Sequence, residues 1–253
     1  MNTSRILVPD DNFDGAAIRK ALQILNHLSV ENSGIRECIL LIPIKGNLRH
    51  TTLEQVLGEK VSKDLAGGKT VMLGKCKLSL ETERTYKNYA ACDAVVVVYA
   101  NQKLMDAVDS ARGLHLIISV PEMEDSVSKW IKTWSPLIPG RETPQDEIVD
   151  NPIVRAALES ITSRINLGNR ILNPRDKEAV EDAFRILRAN DQSTDSGNIR
   201  AWCIRNGWDP KGADEAEKYA VKAFGLKSKP SAFGSQWADD IYSKWVKKAQ
   251  EKR

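Results

Sequence analysis

The sequence changes character near residue 140. Residues 4–138 alternate short β-branched apolar runs with helical patterns, whereas residues 151–253 show helical patterns only. Strands that alternate with helices predict a parallel sheet, and a run of helices predicts a separate helical layer. We therefore expect an α/β domain over residues 1–140 and an all-α domain over residues 151–253.

Five apolar runs in the first part predict strands. The helical patterns between them imply right-handed crossovers and helices on both faces, which is a doubly wound, Rossmann-like or flavodoxin-like five-stranded parallel sheet. The polar segment Glu81–Tyr89 could line a pocket, but we interpret it as a solvated connecting helix. The predicted strands are Arg5–Pro9, Cys38–Ile44, Thr70–Leu73, Ala94–Tyr99 and Leu114–Val120.

Composition restricts the classes of partner. Net charge is only +3 and is nearly balanced within each half, so neither half has the strongly basic character of a nucleic-acid binder. No apolar run approaches the roughly 18 residues needed to span a bilayer, and no charged-then-apolar leader opens the sequence. The four cysteines form no C-x-x-C pair. We expect a soluble cytoplasmic protein with reduced thiols and no membrane partner.

The loops that follow the strands are the expected ligand site, because open parallel sheets bind ligands at the carboxyl ends of their strands. Both common doubly wound orders place strand one beside the topological switch point, which directs attention to the loop Pro9–Gly15. Its carboxylates can accept hydrogen bonds from ribose hydroxyls, amines or guanidinium groups and can hold a hard cation; helix capping is the alternative. The predicted ligand-binding residues are Asp10, Asp11, Asp14, Asn47, Tyr99 and Asn101.

Common cofactor motifs are incomplete in this sequence. No G-x-G-x-x-G follows the first strand, so the usual dinucleotide fingerprint is missing. Gly67–Thr70 resembles the end of a phosphate-binding loop, but it closes a predicted helix and opens a strand, which indicates a helix C-cap. His27, His50 and His115 lack the spacing of metal ligands. We predict no metal site and identify no cofactor.

The opening stretch Ile6–Gly15 resembles the start of response-regulator receiver domains, in which an acidic pair after strand one helps to bind magnesium beside a phosphoacceptor Asp. The third predicted strand, however, ends at Leu73-Gly74-Lys75 without an Asp, and the fifth ends at Val120-Pro121-Glu122 without a Lys. A phosphorylatable receiver is therefore not predicted.

The run Cys92–Tyr99 followed by a helix and Leu114–Pro121 resembles the later part of nucleoside deoxyribosyltransferase-like and TIR-like domains. In those families a Glu on the helix acts at the sugar carbon of an N-glycosidic bond. The corresponding helix carries Asp106 and Asp109 but no Glu. The resemblance implies that catalytic residues, if the protein is an enzyme, are Asp109 together with Asp11 and Tyr99.

The helical half carries two matched helix starts at Asn151-Pro152 and Asn173-Pro174. A short helix capped by Asp195 or Ser196, a Gly turn and a second helix then give the outline of a helix-turn-helix DNA reader. Acidic residues near the start of that second helix oppose phosphate binding, so a packing module is favoured. The acidic residues are Asp214, Glu215 and Glu217, and the residues that would contact DNA are Arg200, Arg205 and Lys211.

The final helical pattern places four large apolar residues on one stripe: Phe233, Trp237, Ile241 and Trp245. We expect all four to be buried, covered within the subunit by Val180–Leu187 and Ala216–Phe224. A homodimer or protein partner is the alternative cover, because aromatic anchors are common at interfaces.

Three functions remain open at this stage. The leading hypothesis is a regulatory or sensor protein of a signalling type, with a small nucleotide-like ligand at the sheet edge and a helical output or interaction domain. The second is an enzyme that cleaves or transfers a nucleoside-type or NAD-type N-glycosidic bond. The third is a nucleic-acid-binding protein that uses the helical half.

Overall fold

The computed structural model describes residues 3–9, 13–31, 34–87, 92–111, 113–142, 147–167, 172–231 and 234–251. Backbone contacts divide the chain into two compact units, one comprising Met1–Ile131 with Ser135–Pro144 and the other Lys132–Trp134 with Gln145–Arg253. That these units are independently folding domains stays a prediction, and residues 143–146 of the expected linker lie outside the described residues.

The first unit is an α/β unit. Short 3-10 helices cover Lys45–Leu48 and Glu124–Val127. Among its described residues the strands are β1 (Ser4–Leu7), β2 (Glu37–Ile42), β3 (Val71–Leu73), β4 (Cys76–Thr82), β5 (Ala94–Val98) and β6 (Leu116–Val120). The helices that begin in it are α1 (Ala16–Glu31), α2 (Thr52–Leu57), α3 (Glu59–Ala66), α4 (Gln102–Asp109) and α5 (Ser128–Trp134).

The strands form one mixed sheet in the order β1-β6-β5-β2-β4-β3. All neighbouring pairs are parallel except β3 and β4, which are antiparallel. After β2 the chain continues to β3 and β4 on one side of the sheet, and after β5 it continues to β6 on the other side. The connections therefore diverge between β2 and β5, which is the topological switch point. The expectation that strand one lies beside this point is wrong, because β6 and β5 separate β1 from it.

The prediction of five parallel strands is also incomplete, because β4 was not predicted, and its last two residues, Glu81 and Thr82, lie in the segment that was expected to be a connecting helix. Buried Cys76, Leu78 and Thr82 alternate with more exposed residues such as Lys77, which is the pattern of a half-buried strand. Gly74, with a φ of +62°, permits the tight turn that pairs β3 with β4. This antiparallel hairpin ends the sheet, so the five-stranded doubly wound arrangement is not the one that this chain adopts.

Helices cover both faces of the sheet. On one face, apolar residues of α1, α2 and α3 pack against β-strand residues that include Cys38, Leu40 and Val96. The alternate residues Val95 and Val97 are equally buried and point to the opposite face because of the pleat. On that second face α4 contacts β5. β5 is therefore buried on both of its faces.

The second unit contains only helices among its described residues. Each of the first four begins behind a side-chain cap, supplied by Asn151, Asn173, Asp195 and Asp209, which accept helix N–H groups. The helices are α6 (Pro152–Arg164), α7 (Pro174–Ala189), α8 (Ser196–Arg205), α9 (Pro210–Phe224) and α10 (Ile241–Glu251). No helix in the described part of the chain combines the length and the apolar character that crossing a bilayer requires.

The terminal aromatic residues dock within the helical unit. Trp245 is 1% exposed and donates its indole N–H to the Ser160 hydroxyl of α6 at 3.0 Å. Trp237 precedes α10, is half-buried, and donates to the Ala179 carbonyl of α7 at 2.8 Å. Their rings meet edge to face with centroids 5.8 Å apart.

The prediction of one helical stripe is therefore wrong, since α10 begins only at Ile241. Its main cover is α6, which was not among the helices expected to provide it. Ile241, like Trp237, is partly buried against the helical core, and Phe233 lies outside the described residues. A partner at the exposed edges of this segment stays a prediction.

Replacing Trp245 by Ala should lower the free energy of unfolding of the helical unit by about 3–5 kcal/mol, because a large buried side chain is lost and a cavity is left. Urea denaturation followed by circular dichroism measures this change. Val221→Ala truncates an apolar side chain that is 57% exposed on α9; it should change the stability by no more than about 0.5 kcal/mol. Equal effects of the two substitutions would show that Trp245 does not belong to the core.

Candidate functional site

The carboxyl ends of β1, β6, β5, β2 and β4 lie along the same edge of the sheet because these strands are mutually parallel. The amino end of α2 joins three of the loops at this edge. Thr51, its cap, donates to the Asn47 carbonyl at 2.7 Å, and Thr52 donates to the Phe13 carbonyl at 3.4 Å. The Leu53 N–H donates to the Tyr99 hydroxyl at 3.2 Å. The loops after β1, β2 and β5 are therefore held together.

Tyr99 occupies a constrained position directly after β5. Its φ of +56° lies in the left-handed region, which an aromatic residue rarely adopts. The conformation turns the chain out of the strand while the hydroxyl reaches the buried amino end of α2. Tyr99 is thus a structural link at the switch point, between the strands whose connections diverge.

The two predicted asparagines serve local backbone groups. The Asn47 side chain accepts the Ile44 N–H at 3.1 Å, and the Asn101 side chain accepts the Leu104 N–H at 3.0 Å, which caps α4. Both lie at the carboxyl edge, as expected from their places after strands. Their role as ligand-binding residues stays a prediction, as does that of Asp10 and Asp11, which lie outside the described residues.

A cleft that we call the β1 cleft lies at the carboxyl end of β1 and has a volume of about 340 Å³. Asp14 belongs to it, as does Lys20 on the first turns of α1. Sequence patterns did not identify two further components, Lys20 and the distant Arg141. Its other lining residues are Val8, Pro9, Ala16, Ala17, Ile138, Pro139 and Gly140.

A backbone bridge brings the distant side of the β1 cleft into place. Leu137 pairs in parallel with Ile6 of β1, and it exchanges hydrogen bonds of 2.9 Å with the backbone of Arg5 and Leu7. This bridge extends the sheet beyond β1 and aligns residues 138–141 with the start of α1. Arg141 also forms a 3.3 Å ion pair with Glu124.

Asp14, in the acidic loop after β1, accepts a hydrogen bond at the start of α1 and can accept further hydrogen bonds. Asp14 accepts the Ala16 N–H at 2.8 Å through one carboxylate oxygen, so the predicted capping role is confirmed. A carboxylate has about four lone-pair sites, and this one remains exposed beside the cleft. Gly15 must be glycine, since its φ is +82° and a Cβ would lie 2.7 Å from Val56.

Of the residues suspected of glycosidic-bond chemistry, Asp109 and Tyr99 lie toward opposite ends of α4, and Asp11 lies outside the described residues. Asp109 forms an ion pair of 3.4 Å with Arg5 of β1, and its side chain is 4% exposed. It ends α4, about 10 Å along the helix from the end that follows Tyr99. Asp106 accepts a hydrogen bond from Gln102 at 2.7 Å.

The fold brings Cys38, Cys76 and Cys92, which are far apart in the sequence, close to one another. Burial raises the pKa of the Cys38 thiol well above its usual value, with Cys76 and Cys92 adding to the effect. Burial also raises the pKa of Cys92 to about 11. The Cys38 and Cys92 thiols therefore carry little thiolate at neutral pH, whereas a hydrogen bond with Cys38 lowers the pKa of Cys76. Among the described residues, no group of three or more His, Cys, Asp or Glu side chains is arranged to hold a metal ion.

The helix-turn-helix outline is a packed hairpin of α8 and α9. Arg200 is 2% exposed and its side chain forms an ion pair of 2.6 Å with Asp214. Arg205 donates to the Thr133 carbonyl. Arg205 and Lys211 are exposed, so Arg200 is the one buried residue of the three predicted DNA contacts. The acidic residue that was expected to repel phosphate instead neutralises a buried arginine.

Residues 150–246 match the family model described as "Domain of unknown function (DUF1889)". The match falls within the helical unit and covers less than half of the chain. Neither a curated protein nor a solved structure matches the chain.

Removing the Tyr99 hydroxyl by Tyr99→Phe should lower the free energy of unfolding by about 1 kcal/mol, because the buried Leu53 N–H loses its acceptor. Tyr86→Phe is a matched control: Tyr86 is 8% exposed, and its hydroxyl forms no hydrogen bond with a described residue. Chemical denaturation of the two variants measures the difference. If Tyr99→Phe is as stable as Tyr86→Phe, the hydroxyl does not hold α2.

Proposed function

We propose that this protein is a regulatory or sensor protein that binds a small nucleotide-like ligand in the β1 cleft and uses its helical unit as an output or interaction surface. The observation that carries the proposal is the β1 cleft itself. It lies at the carboxyl end of a strand in a mainly parallel sheet, where such sheets bind ligands, and it combines charged side chains with an apolar wall.

The charges of the cleft suit a ligand with a phosphate and hydroxyl groups. Lys20 forms no salt bridge or hydrogen bond with a described residue, so its ammonium group can bind a phosphate. Arg141 pairs with Glu124 through Nη1, and the remaining N–H donors of its planar guanidinium can bind phosphate oxygens. Asp14 would repel the phosphate but can accept hydrogen bonds from ribose hydroxyls. A ligand that carries both groups satisfies all three side chains.

The size and lining of the cleft suit a small ligand. Small-molecule sites range over about 300–1,000 Å³, so a cleft of about 340 Å³ favours a mononucleotide or sugar phosphate over a dinucleotide. Val8, Pro9 and Ile138 provide apolar surface against which part of the ligand can be desolvated.

The helical unit supports the second part of the proposal. The family match begins and ends within it, as expected for a segment that recurs as a unit of its own. Arg200, one of the three residues that would contact DNA, is buried and paired with Asp214, which favours protein contacts over phosphate contacts as the output of the unit. We also propose a cytoplasmic location, because all four cysteines are free and suit a reducing compartment.

Isothermal titration calorimetry of the full chain with AMP, GMP, ribose 5-phosphate and inorganic phosphate tests the binding site. We expect a mononucleotide or the sugar phosphate to bind more tightly than phosphate. Lys20→Ala should weaken that binding about tenfold, because a charge-assisted hydrogen bond is lost. Lys75→Ala removes another exposed lysine, in the turn between β3 and β4, and should leave binding unchanged.

Two results would contradict the proposal. One is the absence of measurable binding for every compound of the series. The other is binding that Lys20→Ala and Lys75→Ala affect equally, since the ligand would then occupy another part of the protein.

A further inference from the structure

A second cleft lies in the segment that follows the carboxyl end of β2, and we call it the Ser62 cleft. Its volume is about 270 Å³. It is formed by the loop before α2, by α2 and by α3, all within the α/β unit. The residues with polar or charged side chains that line it are Arg49, His50, Glu54, Glu59, Ser62 and Lys63. None of them belongs to the β1 cleft.

Ser62 is the feature that ordinary packing does not account for. It is 3% exposed, and its hydroxyl oxygen has no hydrogen-bond partner among the described residues. A buried hydroxyl without a partner is unfavourable, so such groups are rare in folded proteins. Because Ser62 lines the cleft, a molecule bound there can supply the missing partner.

The charged residues around Ser62 are evenly divided between the two signs. Arg49 and Lys63 are exposed cations that form no salt bridge with a described residue. Glu54 accepts the His50 N–H at 2.6 Å, and Glu59 lies at the start of α3. The two carboxylates would repel a simple anion in this cleft, and the two cations would repel a simple cation. Together the four groups complement a molecule that carries both a positive and a negative charge.

We infer that the Ser62 cleft binds a small zwitterion of amino-acid size. Its carboxylate or phosphate lies against Arg49 and Lys63, its ammonium group lies against Glu54 and Glu59, and one of its polar groups bonds to the Ser62 hydroxyl. The volume of the cleft suits a molecule smaller than a nucleotide. This inference is independent of the ligand proposed for the β1 cleft.

Calorimetry of the full chain with each common L-amino acid and with phosphoethanolamine tests this site and separates a carboxylate ligand from a phosphate ligand. We expect at least one of these zwitterions to bind. Arg49→Gln should weaken its binding by about tenfold or more, since an ion pair in a partly desolvated cleft is lost. Lys60→Gln, an exposed lysine of α3 outside the lining, should change binding less than about twofold.

Ser62→Ala separates binding from packing. Without ligand, its thermal midpoint should equal or exceed that of the wild type, because an unpartnered buried hydroxyl is removed. Its affinity for the zwitterion should fall about tenfold. Lys20→Ala should bind the zwitterion like the wild type, which distinguishes this site from the β1 cleft.

The inference is overturned if no zwitterion of the series binds at concentrations up to roughly 10 mM. It is also overturned if Arg49→Gln and Ser62→Ala bind the ligand as the wild type does. A lower thermal midpoint of Ser62→Ala with unchanged affinity would assign Ser62 to packing alone.

Discussion

The burial of β5 on both faces is the constraint on which the α/β unit depends. Every residue from Ala94 to Val98 is fully buried, and the strand pairs in parallel with β2 on one side and β6 on the other. A strand with two apolar faces needs helices on both sides of the sheet. Parallel pairing in turn aligns the carboxyl ends of the strands, so the loops after β1, β2 and β5 meet at one edge.

Much of the local structure was predictable because it is encoded by short patterns. The β-branched runs gave β1, β2, β5 and β6, and Asn before Pro gave the starts of α6 and α7. β4 was missed because polar residues on its outer positions conceal the alternation. Strand order could not be derived at all, since it depends on pairing between distant segments and several orders satisfy the same pattern of apolar residues.

The residues of the candidate sites, too, were predictable only where a local sequence pattern marks them. Asp14 could be identified because a polar residue after a strand of a parallel sheet lies at the ligand-binding edge. Arg141 could not be identified, because only the bridge between Leu137 and Ile6 brings it to this edge. A bridge of one residue has no recognisable local sequence pattern. Asn47 and Asn101 further show that polar residues after strands often cap the next turn or helix. The type of a residue and its position after a strand therefore do not distinguish a ligand contact from the cap of a turn or helix.

The central claim is that a ligand binds where the carboxyl end of β1, the start of α1 and residues 138–141 meet. A titration of the ¹⁵N-labelled full chain with the tightest-binding mononucleotide, followed by amide chemical shifts, tests it most directly. We expect the largest changes in amide chemical shift at Ala16, Ala17, Gly140 and Arg141, with small changes around Ser62. Changes confined to the helical unit or to the segment after β2, with the amides of the β1 cleft unmoved, would contradict it.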